Sequence, residues 1–197
     1  MKALALAREC VQLGARSRTI ELLTGLSASR IASHFHGHPS PSQRGRPPDS
    51  REWYYKTTLP NRAQACMLVS IYHRLCQLGI DPAQALVRGY AHYAAACKGE
   101  HRLKFDRAFD LVAHFDGRWI VAQRSFALAD CPICGSQVLT GPQSDAAIRI
   151  AGKECPFCRL IERFRRDPRI QDSFPVVPVA EPPVIQFPSA VVLRALG

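Results

Sequence analysis

The stretches CPIC at residues 131–134 and CPFC at residues 155–158 stand twenty residues apart in the C-terminal half of the chain. Together they form the pattern C-x2-C-x20-C-x2-C. A C-x2-C turn places two sulfur atoms on one edge of a tetrahedral metal ion, and a second such turn supplies the other edge. Because no fifth ligand accompanies the pairs, the pattern predicts a closed, structural zinc site. The predicted Zn²⁺ ligands are Cys131, Cys134, Cys155 and Cys158.

Two other chemistries use cysteine pairs of this kind. A redox C-x-x-C motif normally stands alone at a helix start in a βαβ unit, and strand–helix alternation is absent from this sequence. Two disulfides would need an oxidising compartment. The remaining cysteines lack regular spacing and fall in helical patterns, which is typical of free, buried thiols. They are Cys10, Cys66, Cys76 and Cys97.

The chain is strongly basic. Its 197 residues include 26 Lys and Arg against 16 Asp and Glu, which gives a net charge of +10 and a pI near 9.6. Such an excess favours an acidic partner, with nucleic acid ahead of an anionic membrane surface, although a basic surface can also serve solubility alone. No apolar run has the length of a membrane span, and Arg8 and Glu9 interrupt the apolar start. We therefore expect a cytoplasmic protein without membrane insertion.

Composition divides the chain into five segments. The expected fold class is mainly α, with a helical N-terminal and central region, a helix-turn-helix-like element and a small four-cysteine, zinc-ribbon-like C-terminal lobe. The predicted segments are a helix-turn-helix-like segment at 1–36, a basic Pro-rich loop at 37–60, a helical core at 61–117, a zinc-binding lobe at 118–166 and a Pro-rich tail at 167–197.

The N-terminal segment has the outline of a helix-turn-helix. Residues 3–24 follow a helical period that Gly14 interrupts. A turn at 24–27 leads through Ser27, a favourable N-cap, into a second helix over 28–36. A plain αα-hairpin fits these residues equally well. If the second helix reads DNA, the candidate residues are Ser27, Ser29 and Arg30.

Two further stretches are rich in arginine. The loop at 37–50 contains four prolines and two glycines, which excludes regular structure, and it carries Arg44 and Arg46. The stretch after the second cysteine pair carries Arg159, Arg163, Arg165 and Arg166. Arginines in such positions contact phosphates, or simply keep a linker solvated. The alternating histidines at 34, 36 and 38 have a spacing unsuited to metal ligation.

Three amphipathic helices are expected in the central segment. The Asp-Pro pair at 81–82 predicts the start of the second helix, and Gly117 predicts the end of the third. We expect Asp106 and Asp110 on a solvated helix face, and a strand within 119–128. The predicted apolar faces comprise Leu68, Ile71, Tyr72, Leu75 and Leu78, then Leu86, Tyr90, Tyr93 and Cys97, then Phe105, Phe109, Val112 and Phe115.

The sequence offers little for catalysis. It contains no Gly-rich phosphate loop, no H-E-x-x-H pair and no recognisable Ser/His/Asp motif. We therefore do not expect an enzyme, and an enzyme with a structural zinc lobe is the weaker interpretation. A third interpretation is a zinc lobe that binds only other proteins. In that case the slope of the logarithm of the DNA-binding constant against the logarithm of salt concentration would be near zero.

Several of these features occur in the same order in a known family. The chain resembles the flagellar transcriptional activator FlhC family over residues 8–166. Each matching segment is weak evidence by itself, whereas the order of these segments along the chain is specific to the family. The resemblance rests on LGAR at 13–16, TGLSASRI at 24–31, Ser40-Pro41 with its basic loop, Trp53, residues 65–79, Tyr90, Tyr93, FDRAFDLV at 105–112 and the four cysteines.

This resemblance implies a DNA-binding subunit that acts with a FlhD-type subunit in a hetero-hexamer. It implies binding to double-stranded DNA upstream of flagellar operons, recruitment of RNA polymerase, and zinc held by the same four cysteines. Beyond Arg30 and Ile31, where the family often has basic residues, this chain has Ala32, Ser33 and a His-rich stretch. A divergent paralogue without flagellar targets is therefore the alternative.

Overall fold

The described part of the chain is mainly helical, as expected. The computed structural model describes residues 2–35, 52–97, 102–141 and 155–168. These residues form α1 (Lys2–Gln12), α2 (Ser17–Thr24), α3 (Ala28–Phe35), α4 (Glu52–Lys56), α5 (Leu59–Gln77), α6 (Pro82–Ala96), α7 (Phe105–Asp116), β1 (Ala127–Asp130), β2 (Gln137–Thr140) and α8 (Pro156–Arg166). Among them, no helix combines the length and the apolar character needed to cross a bilayer. The predictions for Arg44, Arg46, His36, His38 and most of the tail lie outside the described residues.

One hydrophobic core joins these elements, and α5 lies at its centre. Helix α5 contacts α4, α6, α7, α8 and β2. The predicted face of α7 is confirmed, since Phe105, Phe109, Val112 and Phe115 are buried. In the predicted face of α6, Leu86, Tyr90 and Tyr93 are buried, whereas Cys97 at the end of the helix is only partly buried. The prediction for Leu78 was wrong because this residue follows the last turn of α5, where its side chain is 74% exposed.

The N-terminal segment contains two short turns. Gly14 has a positive φ of 77° and separates α1 from α2, so the predicted helix over 3–24 is split. Gly25, at φ 70°, ends α2 with its N–H donating to the Glu21 carbonyl. The Ser27 carbonyl then accepts from the Ile31 N–H, which places Ser27 at the start of α3. Helices α2 and α3 therefore form the predicted helix–turn–helix outline.

The range predicted as a loop up to residue 60 contains α4 and the first turn of α5. Tyr54 of α4 is fully buried, and its hydroxyl donates to the Leu139 carbonyl at 3.2 Å. The Cys66 thiol lies 3.2 Å from the same hydroxyl, and it accepts from the Leu139 N–H at 3.4 Å. This closed ring of hydrogen bonds joins α4, α5 and β2, and it gives the buried tyrosine hydroxyl its partners.

The strand expected within 119–128 forms only from residue 127 onwards. Strand β1 pairs with β2 in antiparallel register, from Ala127 opposite Thr140 to Asp130 opposite Gln137. Upstream, Trp119 adopts a positive φ of 58° and packs its ring on Phe109 at 5.4 Å. The chain therefore folds back along the end of α7 before it extends.

The prediction that Asp106 and Asp110 face solvent was wrong. Their side chains are only 4% and 3% exposed. Asp106 accepts hydrogen bonds from the Arg16 N–H and the Thr19 hydroxyl. Asp110 lies 3.5 Å from the guanidinium of Arg107 and 3.8 Å from the imidazole of His114. These partners explain how two carboxylates are accommodated in the core.

Candidate metal centre

The first cysteine pair lies in the turn of the β1–β2 hairpin. The Cys131 N–H donates to the Ser136 carbonyl at 2.9 Å, and the Gly135 N–H donates to the Cys131 carbonyl at 2.8 Å. Gly135 has a φ of 69°, a left-handed conformation that costs glycine little. The tight turn places Cys131 and Cys134 at the tip of the hairpin.

The second cysteine pair lies at the beginning of α8. Pro156 occupies the first helical turn, where its lack of an N–H has no cost. Cys155 is the N-cap residue, and its Sγ accepts from the Cys158 N–H at 3.5 Å. Three residues apart, Cys155 and Cys158 lie on the same side of the helix. The centre therefore combines one hairpin turn with one helix N-terminus.

The four sulfur atoms have the spacing of a tetrahedral zinc site. All four Sγ atoms lie within 4.8 Å of one another. Two of the sulfur pairs join the two turns, at 3.8 Å for Cys131–Cys158 and 3.7 Å for Cys134–Cys155. A tetrahedron with Zn–S bonds of about 2.3 Å has S–S edges of about 3.8 Å. The donor set thus fits Zn²⁺ in size and chemistry, and none of the eight cysteines forms a disulfide.

The metal centre is part of the main hydrophobic core. Cys131 and Cys155 are buried within the same cluster as Val138 and Leu139. Strand β2 and α8 both contact α5, so the sulfur cluster links the hairpin and α8 at the edge of the helical core. The described part of the predicted zinc lobe consequently shares its apolar contacts with the helical core, and loss of a bound metal would disturb both.

The thiols differ in their readiness to ionise. Hydrogen bonds from the side chain and N–H of Ser136 lower the pKa of Cys134 to about 6. Burial raises the pKa of Cys155 and of Cys158, and the neighbouring thiols raise both further. Without a metal, Cys134 therefore ionises more readily than Cys155 and Cys158, and Zn²⁺ binding would release protons from those two thiols.

Removal of the metal is expected to raise the reactivity of these four thiols. After chelation the hairpin and α8 should unfold, which removes the burial that raises the pKa of Cys155 and Cys158. Iodoacetamide at pH 8 should then alkylate all four thiols, whereas metal-loaded protein should resist. Cys10 should stay unmodified in both samples, because it lies in α1, away from the four ligands, and burial raises its pKa to about 12. Mass spectrometry of peptides gives the readout, with unfolded protein as the control in which all eight cysteines react. Equal reactivity before and after chelation would contradict a metal site.

The predicted contact residues within the described part of the chain lie at the start of α3 and on α8. Ser27 and Ser29 are exposed at the start of α3, with their hydroxyls 3.1 Å apart, and Arg30 is exposed beside them. Helix α3 packs on α2, while α8 packs on α5. The arginines of α8 are all exposed, namely Arg159, Arg163, Arg165 and Arg166.

Helix α8 itself was not anticipated from the sequence. Its signals were Pro156 directly after a cysteine, and the spacing of its arginines. Arg159, Arg163 and Arg166 are separated by four and three residues and share one face. Arg166 also pairs with Glu162 at 2.6 Å, an exposed contact that contributes little to stability. The result is a basic helix surface that begins at two of the sulfur ligands.

Apolar side chains are exposed near the same centre. Ile133 in the hairpin turn is 64% exposed, and Ile161 and Phe164 of α8 are 48% and 38% exposed. Exposed apolar groups of this kind can serve protein contacts. The sequence pattern does not distinguish these residues from a core, because apolar residues at helical spacing indicate a buried face equally well.

Comparison with known proteins identifies the family of this chain. The family described as flagellar transcriptional activator (FlhC) matches residues 1–169. The flagellar transcriptional regulator FlhC of Cupriavidus pinatubonensis is 30% identical over 172 residues, which cover 83% of this chain and 75% of that protein. The protein of the same name from Serratia marcescens is 27% identical over 184 residues, covering 88% of this chain and 89% of that protein. The chain therefore belongs to the FlhC family of flagellar transcriptional regulators.

Proposed function

We propose that this chain is the DNA-binding subunit of a transcriptional activator of flagellar operons, with one structural Zn²⁺ held by its four clustered cysteines. Membership of a family of transcriptional regulators supports the general role. The observation that carries the proposal is α8, which begins at Cys155 and Cys158 and exposes four arginines. In this proposal the sulfur cluster fixes the helix on the core, and the arginines of the helix bind phosphates.

The chain would make two kinds of contact with DNA, namely contacts to backbone phosphates and contacts to base edges. Zinc, when bound, supplies a four-coordinate cross-link between the hairpin and α8. Arg159, Arg163, Arg165 and Arg166 would bind backbone phosphates, together with Arg44 and Arg46, and would supply affinity without sequence choice. Ser27, Ser29 and Arg30 at the exposed start of α3 would reach base edges and supply sequence choice.

The proposal includes assembly with other proteins. A FlhD-type subunit would join this chain in a cytoplasmic hetero-hexamer that recruits RNA polymerase. More than one copy of the chain on one DNA makes modest contacts per copy sufficient, because the second binding event becomes intramolecular. The chain would act through binding alone and not as an enzyme.

Co-expression with a FlhD-type subunit tests this function. We expect the two chains to purify together, to contain one zinc per copy of this chain, and to protect a discrete site upstream of a flagellar operon in a footprint. The affinity should fall steeply with salt. A stable, zinc-loaded complex that protects no DNA at low salt would contradict the proposed function.

A protein-interaction module is the second candidate, and the exposed Ile133, Ile161 and Phe164 favour it. In that case α8 would bind protein rather than DNA. The two functions differ in the salt dependence of DNA binding. If log K for DNA binding by the purified complex changes little with log salt concentration, the interaction module is supported instead.

Replacing Arg30 by alanine is expected to weaken binding to the specific site by about 1–3 kcal/mol, the cost of one good base contact. Binding to unrelated DNA should change little, because phosphate contacts dominate there. Competition titrations against specific and random duplexes measure both quantities. Arg8→Ala is the matched control, since Arg8 is an exposed arginine of α1 outside the proposed interface. Equal losses on the two duplexes would assign Arg30 to a phosphate instead.

A further inference from the structure

The N-terminus of α2 is capped by a carboxylate from a distant helix. Arg16 is the N-cap residue of α2 and makes no side-chain cap hydrogen bond within its own turn. Asp106 Oδ1 instead accepts from the Arg16 N–H at 3.1 Å and from the Thr19 hydroxyl at 2.7 Å. Asp106 Oδ2 lies 3.3 Å from Arg16 Nε. The carboxylate of Asp106 on α7 thus contacts the Arg16 N–H, the Arg16 Nε and the Thr19 hydroxyl at the N-terminus of α2.

This contact strongly constrains the position of α2. A negative charge is favourable at a helix N-terminus, where the backbone N–H groups and the helix dipole point at it. The first turn of α2 contains no acidic residue of its own. Asp106 is nearly inaccessible to solvent, so any movement of α2 that breaks these contacts leaves a buried charge without partners. The geometry therefore favours one orientation of α2 on α7.

The orientation of α2 in turn sets that of α3. Only three residues separate the two helices, and Gly25 closes the turn through its hydrogen bond to Glu21. Leu26 in the turn and Ile31 in α3 are buried in the same core cluster as Leu23 of α2. A short turn pinned by buried apolar side chains makes the two helices move together.

We propose that Asp106 is a positioning residue for DNA recognition. Its carboxylate holds the N-terminus of α2, and thereby presents the start of α3, with Ser27, Ser29 and Arg30, in the orientation that fits the DNA. This inference rests on the proposed function, because it assumes that α3 reads the duplex. Asp106 itself touches no DNA.

The variant Asp106→Asn in the zinc-loaded complex with the FlhD-type subunit tests the inference. We expect about tenfold or greater loss of affinity for the specific site, because two hydrogen bonds to a charged acceptor and an ion pair are weakened. Zinc content and co-purification should stay unchanged. Hydrogen exchange of residues 17–35 should become faster, since the two helices lose their attachment to α7.

The matched control is Asp116→Asn at the other end of the same helix. Asp116 accepts from the Tyr72 hydroxyl at 2.8 Å and from Arg118 Nε at 2.6 Å, and these contacts involve neither α2 nor α3. We expect this variant to lower the melting temperature without changing DNA affinity or the exchange of 17–35. If Asp106 is merely structural, both variants would lose stability and keep the affinity of the folded complex.

A double-mutant cycle with Thr19→Val adds a second readout. Thr19 is buried, and in this proposal it affects DNA affinity through its hydrogen bond to Asp106. The losses in affinity from Thr19→Val and Asp106→Asn should therefore be less than additive. Full affinity in Asp106→Asn, or strict additivity in the cycle, would overturn the positioning role. A wild-type complex that binds no DNA would instead overturn the proposed function, which separates the two failures.

Discussion

Replacing Cys155 by serine is expected to remove the bound zinc and to unfold the hairpin and α8. Cys155 is fully buried, contributes one of the four clustered sulfurs, and caps α8 through the Cys158 N–H. A structural zinc site contributes on the order of 10 kcal/mol to folding, which equals the whole stability of many domains. Because β2 and α8 pack on α5, the loss should reach the helical core as well.

Metal analysis and thermal unfolding measure this effect. We expect the zinc content to fall close to zero and the melting temperature to fall by at least about 10 °C, as a loss of several kcal/mol implies for a chain of this size. Most of the helical circular dichroism should remain at low temperature, since α1 to α7 do not include the ligands. DNA binding should be lost with α8.

Cys97→Ser is the control for this substitution. Cys97 is a partly buried thiol at the C-terminal end of α6, and its Sγ is not in the sulfur cluster. The control should retain full zinc and nearly full stability. A Cys155→Ser variant that keeps stoichiometric zinc would show that the four cysteines do not form the metal site.

The features that were predicted correctly have local causes. The cysteine pairs are each four residues long, and the Asp-Pro pair at 81–82 places a capping carboxylate directly before α6, where it accepts from the N–H groups of Ala83 and Gln84. Gly25 and Gly117 end their helices in the left-handed conformation that glycine favours. Signals of this kind depend on neighbours in sequence, and they can be read without knowing the fold.

The features that were missed depend on partners far along the chain. Asp106 is separated by 90 residues from Arg16, so its hydrogen-bond partner cannot be found by helical periodicity. Tyr54 of α4 is buried where its hydroxyl donates to the carbonyl of Leu139, which lies 85 residues later. The local sequence predicted a solvated helix face for Asp106 and a loop for Tyr54. In both cases a contact with a distant part of the chain decides the environment of the side chain instead.

The candidate metal site could be predicted from sequence more completely than its surroundings. Cys131, Cys134, Cys155 and Cys158 were identified by spacing alone, and the structure brings their sulfurs together. The pattern did not indicate that the second pair begins a helix, because a C-x2-C turn is compatible with a hairpin or a helix start. That difference matters for function, since only a helix aligns Arg159, Arg163 and Arg166 on one face.

Neutralising this face of α8 is expected to reduce DNA affinity strongly without unfolding the protein. The triple variant Arg159→Ala, Arg163→Ala, Arg166→Ala removes three exposed charges from one helix surface. Alanine is the best helix former, so α8 itself should not be destabilised by intrinsic propensity. The salt bridge lost between Arg166 and Glu162 is exposed and costs little.

The size of the effect follows from counterion release. Each phosphate contact contributes about 0.9 to the slope of log K against log salt, so three lost contacts should flatten the slope by about 2.7 and weaken binding roughly 100-fold at physiological salt. Fluorescence anisotropy of the zinc-loaded complex, titrated at several salt concentrations, measures both numbers. Specific and random duplexes should lose affinity equally, unlike in Arg30→Ala, because phosphates carry no sequence information.

The matched control changes the same net charge elsewhere. The variant Arg8→Ala, Arg74→Ala, Arg88→Ala removes three exposed arginines from α1, α5 and α6. If the overall charge of the basic chain alone attracts DNA, both triple variants should flatten the slope by similar amounts. If α8 makes direct contacts, only its own variant should do so, because screening at about 8–10 Å leaves remote charges with little effect. Equal slopes in the two variants would therefore reject α8 as the phosphate-binding surface, even with zinc content and assembly intact.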